Sequence, residues 1–116
     1  MFETQRTVRL HDVDAAGILY FANYFRMAHT AYESLMKSLG CGLDYIIQSA
    51  DYMILIVHAE AQYESGVFLG DKLTIQVKTE HIGQTSFILH YDFKDSDGNM
   101  AATVTVSYTH LRAHET

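Results

Sequence analysis

From Tyr24 onward, apolar residues fall at Met27, Ala28, Ala31, Tyr32, Leu35, Met36 and Leu39. Steps of three and four place them on one stripe of an amphipathic helix. The spacing predicts a helix over Asn23 to Leu39, with Asn23 as its N-cap and Gly40 as a left-handed stop. Glu33, four residues before Lys37, is expected to pair with it on the helix surface. Ahead of the helix, Thr4 to Leu10 alternates crudely and predicts a first strand. Behind it the period changes. The longest apolar run, Met53 to Val57, reads as a buried strand that continues with alternation to Tyr63. Lys72 to His81 puts Leu73, Ile75 and Val77 on one face and Thr74, Gln76 and Lys78 on the other. Gly83-Gln84-Thr85 turns the chain into Ser86 to Lys94, and Asp95-Ser96-Asp97-Gly98 signals a tight hairpin. Met100 to His110 supplies a last strand. Leu43 to Ser49 has the makings of a short second helix. The order is one strand, one long helix and four strands joined largely by hairpins, which defines an α+β domain with a helix laid across an antiparallel sheet.

The tail interrupts this pattern. Leu111 to Thr116 continues neither the alternation nor a helix, so residues 1–108 are expected to form the domain. Residues 109–116 read as a truncation scar or read-through, or equally as a genuine frayed terminus.

Composition narrows the function classes. With 116 residues the chain makes one domain with a real core. A formal charge of −6 argues against a broad electrostatic footprint for nucleic acid or an anionic membrane. The one cysteine, Cys41, has no internal partner, so nothing demands an oxidising compartment, and it reads as a buried or loop thiol rather than a nucleophile. Neither a spanning segment nor a signal-like start is evident, and a cytoplasmic location is the default expectation.

Candidate chemistry gathers just before the helix, in His11-Asp12-Val13-Asp14-Ala15-Ala16-Gly17. The acids at the first and third positions and the glycine at the sixth imitate a calcium loop, but Ala16 and Asn23 occupy positions that need oxygen ligands. A divalent metal on Asp12-Val13-Asp14 would need a nucleotide fold that the pattern does not offer. Five histidines (His11, His29, His58, His81 and His90) are scattered over separate elements, and the close pair His110 and His114 lies in the tail, so no zinc site is expected. Nucleophile elbows, phosphate loops and Cys-His signatures are all missing. Carboxylate chemistry remains. Asp12 reads as a turn former, and Asp14, taken alone, as an acid near a helix N-terminus.

Asp14-Ala15-Ala16-Gly17-Ile18-Leu19-Tyr20-Phe21-Ala22-Asn23-Tyr24 resembles the motif of the 4-hydroxybenzoyl-CoA thioesterase family of hotdog-fold proteins. The likeness runs on through Val57-His58-Ala59-Glu60-Ala61-Gln62-Tyr63 to Gly70-Asp71-Lys72-Leu73. Tyr20 to Asn23, His29 to Ser34 and Leu55 to Ala59 are most similar to the branch that hydrolyses 1,4-dihydroxy-2-naphthoyl-CoA in quinone biosynthesis. The resemblance implies a five-stranded antiparallel sheet wrapped round one long helix. It also implies homodimers or homotetramers with active sites at subunit interfaces, an acyl-CoA substrate, and no cofactor or metal. Asp14 would be the catalytic carboxylate, as nucleophile or general base, and the backbone N–H of Phe21 would hold the thioester oxygen.

Gly17 would let the backbone pass close to substrate. Tyr20, Tyr24, His58, Gln84 and Ser86 are candidate substrate contacts, with core packing the competing role for Tyr24 and a satisfied strand histidine that for His58. Glu33 is a second helix carboxylate, for which the surface pairing is favoured. Where another branch carries histidine this chain has Phe21, and where the family often has proline it has Gly66. The competing functions are a non-catalytic acyl-CoA or acyl-carrier binding module, an inactive truncated copy and, behind these, a hydratase.

Overall fold

The computed structural model describes residues 2–39 and 52–112. Strand β1 (Phe2–Thr7) is followed by a single 3-10 turn at Leu10–Asp12 and by helix α1 (Asn23–Ser38). Strands β2 (Tyr52–Tyr63), β3 (Lys72–Ile82), β4 (Ser86–Lys94) and β5 (Met100–Arg112) complete the domain. All strand pairs are antiparallel, in the order β1-β3-β4-β5-β2. The expected five-stranded sheet with one long helix is therefore present. Gly40, Cys41 and the segment Leu43 to Ser49 lie outside the described residues, as do residues 113–116.

The helix forms where its period predicts, and Tyr24, Met27, Ala28, Ala31 and Tyr32 are its buried residues. Ala28 and Ala31 let the helix axis sit close to the sheet, whose inner face presents Ile75, Phe93 and Ala102 in one row and Val77, Tyr91 and Val104 in the next. Three register shifts, at Thr79/His81, Ile56/His58 and Phe93/Lys94, interrupt the ladders. Such bulges bend strands and raise their twist, which suits a sheet that must curl round a helix. Under the helix, the Tyr108 ring is sandwiched between Tyr32 and Phe87, with centroids 4.8 Å away on each side. The hydroxyls of Tyr91 and Tyr108 satisfy one another in the core. Burial pushes the Tyr108 phenol up to about 12.

Several expectations are corrected. The N-cap is Ala22, not Asn23, and it makes no side-chain cap. The Asn23 amide instead reaches back 2.8 Å to the carbonyl of Asp12, a tertiary acceptor that outcompetes local capping. The side chains of Glu33 and Lys37 form no ion pair among the described residues, since exposed pairs gain too little to hold two long side chains together. Strand β1 ends at Thr7, because Val8 turns away to bond Asp71 and Gly70. The last strand, expected to end at His110, runs to Arg112, with Ile54, Met53 and Tyr52 opposite His110, Leu111 and Arg112.

The largest correction concerns β2. It is not joined to β3 as a hairpin but lies at the far edge, beside β5 alone among the described residues. Its apolar run is therefore open: Leu55, Ile56 and Val57 are 42%, 52% and 62% exposed. An edge strand has a partner on one side only, so a run that reads as interior stays uncovered in the single chain.

The outer sheet face is polar, and among the described residues it carries one buried charge. Asp92 accepts from Lys78 Nζ at 2.9 Å and pairs with His90 Nε2 at 2.8 Å, while His90 Nδ1 lies 3.3 Å from the Thr105 hydroxyl. Burial alone would raise the Asp92 carboxyl, but Lys78 and His90 outweigh it and hold it below the usual carboxylate range. A carboxyl lowered in the folded state contributes stability above its unfolded pKa and loses it as the pH falls through the folded one. Lys78→Met is therefore expected to cost about 1–2 kcal/mol at pH 7. That difference should shrink between pH 7 and a pH well below the usual carboxylate range, where the lowered carboxyl of Asp92 protonates in both proteins. Urea unfolding at the two pH values checks this.

Candidate active site

The segment between the 3-10 turn and the helix is a tightly bonded loop. Asp12 is its anchor: 1% exposed, it accepts Arg6 Nη2 at 2.8 Å through one oxygen and the Arg9 N–H at 2.9 Å through the other. Its carbonyl also takes the Tyr20 N–H at 3.1 Å beside the Asn23 amide. Asp12 is thus a structural acceptor, as its turn reading implied. Both oxygens are occupied, which leaves it no hand for chemistry.

Asp14 is arranged differently. Its exposed carboxylate accepts the Ala16 N–H at 2.9 Å and the Ile18 N–H at 3.3 Å, both through Oδ1. The backbone closes the same loop, with Asp14 N–H on the Ile18 carbonyl and Gly17 N–H on the Asp14 carbonyl. Oδ2 has no partner among the described residues. One oxygen orients the group and the other is open for proton transfer or attack. Gly17 stands at φ +78°, a conformation that favours glycine, while a Cβ there would meet nothing within 4 Å. The turn itself, rather than crowding, explains this glycine.

Loop and helix start are tied to the β2–β3 connection. Leu19 N–H bonds Val67, Leu69 N–H bonds Gly17, and Ile18 bridges to Phe68. Between them lies a cleft of about 340 Å³ lined by Ile18, Phe21, Tyr24, Tyr63, Glu64 and Gly66, among others. Asp14 does not itself line the cleft but is bonded twice to Ile18, which does. Around Phe21 the backbone donors are used unevenly. Tyr20, Asn23 and Tyr24 give their N–H groups to Asp12, Tyr20 and Phe21 carbonyls, whereas the Phe21 N–H has no partner among the described residues. A free N–H at the positive end of a helix suits developing negative charge on an oxygen.

The other candidates divide. The half-exposed Tyr20 and Phe21 rings touch each other at 4.9 Å beside the cleft. Tyr24 is buried, packs edge-on against Phe93 at 5.2 Å and forms part of the cleft wall. Burial, with Tyr63 nearby, pushes its phenol up to about 12. His58 stands opposite Ser107 on the outer sheet face, alternating with Ala59 and Ala61 of the inner face. Gln84 and Ser86 sit at the β3–β4 turn, beyond Ile82, whereas the Asp14 loop adjoins the Lys72 end of β3. Along an 11-residue strand those ends are about 30 Å apart. A single chain brings Asp14, Gly17, Tyr20, Phe21 and Tyr24 together and leaves His58, Gln84 and Ser86 elsewhere. Tyr63 and Asn23 are the contributors that motif reading missed. Tyr63 carried one local signal, an aromatic closing an alternating strand at the lip of a turn.

No cluster of three metal-binding side chains occurs among the described residues, and no described helix is long and apolar enough to cross a membrane.

An antiparallel sheet curled round one long helix, with a carboxylate loop at the helix start, defines the hotdog thioesterase class. Residues 8–116 match the thioesterase-like superfamily, and the chain belongs to that family. It is 32% identical over 106 residues to a 1,4-dihydroxy-2-naphthoyl-CoA hydrolase of Prochlorococcus marinus, covering 85% of this chain and 68% of the relative. To the enzyme of the same name from Synechococcus elongatus it is 33% identical, covering 90% and 78%. The crystal structure of a 1,4-dihydroxy-2-naphthoyl-CoA thioesterase from Synechocystis superposes with a TM-score of 0.92 at 27% identity, over 98% of this chain and 84% of that one. A Staphylococcus aureus protein solved in complex with CoA has the same fold, with a TM-score of 0.90 at 21% identity over 97% and 71%. The chain is an acyl-CoA thioester hydrolase.

Proposed function

We propose that this enzyme hydrolyses an aromatic acyl-CoA of the 1,4-dihydroxy-2-naphthoyl or hydroxybenzoyl type, with Asp14 as its catalytic carboxylate. The observation that carries the reading is the pairing of a half-tethered carboxylate with the unpartnered Phe21 N–H at the helix start. With Asp14 as general base, Oδ2 takes a proton from water and the hydroxide adds to the thioester carbon. The oxygen of the tetrahedral intermediate gathers charge facing the Phe21 N–H, a donor of the kind worth roughly 3–4 kcal/mol in the transition state. Collapse expels the CoA thiolate, which takes the proton from Asp14. With Asp14 as nucleophile, Oδ2 adds to the thioester carbon facing the same donor and the C–S bond breaks, giving an acyl-aspartyl anhydride and the CoA thiolate. Water then opens the anhydride to the free acid and the Asp14 carboxylate, and the proton released goes to the thiolate. Neither route needs a metal or a cofactor beyond the CoA carried by the substrate.

The site is completed by a second copy of the chain. The exposed apolar run of β2 supports an edge-to-edge pair, and an antiparallel two-fold pairing reverses the partner's strands. The partner's β3–β4 turn, with its Gln84 and Ser86 positions, then swings to the end where the first chain keeps Asp14. A pair, or a tetramer of two pairs, accounts for contacts that are about 30 Å apart in one chain. The lone Cys41 asks for no oxidising compartment, which fits a cytoplasmic setting.

Thiol release from dihydroxynaphthoyl-, hydroxybenzoyl- and short aliphatic CoA esters tests the reading. The aromatic esters are expected to exceed the aliphatic ones by at least about tenfold in kcat/KM. Release from none of them would replace hydrolysis with the binding-module alternative.

A further inference from the structure

Phe21 sits between two clamped pieces of backbone. On one side the Asp12 carbonyl holds the Tyr20 N–H and the Asn23 amide. On the other, the Phe21 carbonyl accepts the Tyr24 N–H at 3.3 Å and, from across the cleft, the Tyr63 hydroxyl at 3.2 Å. Tyr63 closes strand β2, and its ring rests on Tyr24 at 5.1 Å, with Tyr24 in turn on Phe93. That packing gives the hydroxyl a rigid mount. We infer that Tyr63 is a positioning residue for the thioesterase reaction, its hydroxyl pinning the Phe21 carbonyl so that the Phe21 N–H stays aimed at the substrate oxygen.

The inference rests on the reading of Asp14 and Phe21 given above. Its physical basis is local. The Phe21 N–H shares a peptide with the Tyr20 carbonyl, which accepts the Asn23 N–H at 2.9 Å. The hydrogen bonds to the Phe21 carbonyl fix the next peptide, so that together they keep the intervening N–H in one direction. Donors set in place before the reaction cost no reorganisation when charge develops. The bond also polarises the Phe21–Ala22 peptide and strengthens the neighbouring Ala22 N–H as a donor. Partial burial raises the Tyr63 phenol above its ordinary value, so it remains a proton donor throughout the working pH range.

Tyr63→Phe keeps the ring and its stacking and removes only the hydroxyl. With 4-hydroxybenzoyl-CoA and 1,4-dihydroxy-2-naphthoyl-CoA as probes, kcat is expected to fall about tenfold, with KM within about twofold and an unchanged unfolding midpoint. A second readout follows the donor directly. In Asp14→Asn protein, which holds the thioester intact, the infrared carbonyl stretch of bound 4-hydroxybenzoyl-CoA should move to lower frequency. Adding Tyr63→Phe should reduce that shift. A kcat within twofold of the parent together with an unchanged carbonyl shift overturns the inference, and so does a loss confined to KM. If Asp14→Asn itself hydrolyses at the parental rate, or neither ester is hydrolysed by the parent, the underlying mechanism fails and this inference falls with it. The two failures are distinguishable, because Asp14→Asn leaves Tyr63 untouched.

Discussion

Asp14→Asn is expected to lower kcat by about 10³-fold while leaving the fold intact. The reasoning starts from the loop. Asparagine keeps a carbonyl oxygen where Asp14 Oδ1 accepts the Ala16 and Ile18 amides at 2.9 and 3.3 Å, so the turn closes as before. What is lost is the second oxygen as a base or nucleophile, because an amide group neither takes up a proton near neutral pH nor attacks a thioester. KM should change little, since the proposed acyl and CoA contacts are made by other residues. Thiol release measured under saturating substrate, alongside a thermal melt, separates these effects. Retained turnover would remove Asp14 from the mechanism.

Val57→Asp is expected to separate the subunits and reduce kcat/KM by about 100-fold. Val57 is 62% exposed in the single chain, at the register shift between Ile56 and His58 on the free edge of β2. A carboxylate there costs the isolated chain little, because the position already faces solvent. In a two-fold pair it places a charge from each chain in the same contact and blunts the edge, the device by which natural sheets avoid strand pairing. Analytical ultracentrifugation should find an even-numbered parent assembly and a monomeric variant. An unchanged assembly with unchanged activity would move the interface away from β2.

These two experiments address different levels at which the chain could be read in advance. The helix was legible because Met27, Ala28, Ala31, Tyr32 and Leu35 repeat with the helical period, and a period needs no tertiary information. Three of the strands were legible for the same reason, with Leu73, Ile75 and Val77 alternating against polar neighbours. Strand order was not legible. Nothing local in Met53 to Val57 says that β2 crosses to the far edge, and a run apolar on both faces reports burial in whatever assembly forms, not in one chain. Asn23 misled because its side chain suits a cap, yet the Asp12 carbonyl 11 positions earlier is the acceptor it takes.

Asp14 stood out because it belongs to a motif. The state of its two oxygens, and the free N–H at Phe21, are properties of backbone geometry that residue identity does not encode. Tyr63 could be placed at the end of a strand, but its bond could not be read, since its acceptor is a main-chain carbonyl 42 residues away.

The donor at Phe21 belongs to the main chain, and this shapes what substitution can do to the enzyme over evolutionary time. Any residue but proline at that position supplies the same N–H, so the side chain is released from catalytic duty. In the proposed mechanism, the exposed Phe21 ring beside the cleft can therefore change in size or polarity to suit a different acyl group while the proposed oxyanion donor is inherited unaltered. On that proposal, substrate range and catalytic machinery would occupy one residue yet answer to selection separately.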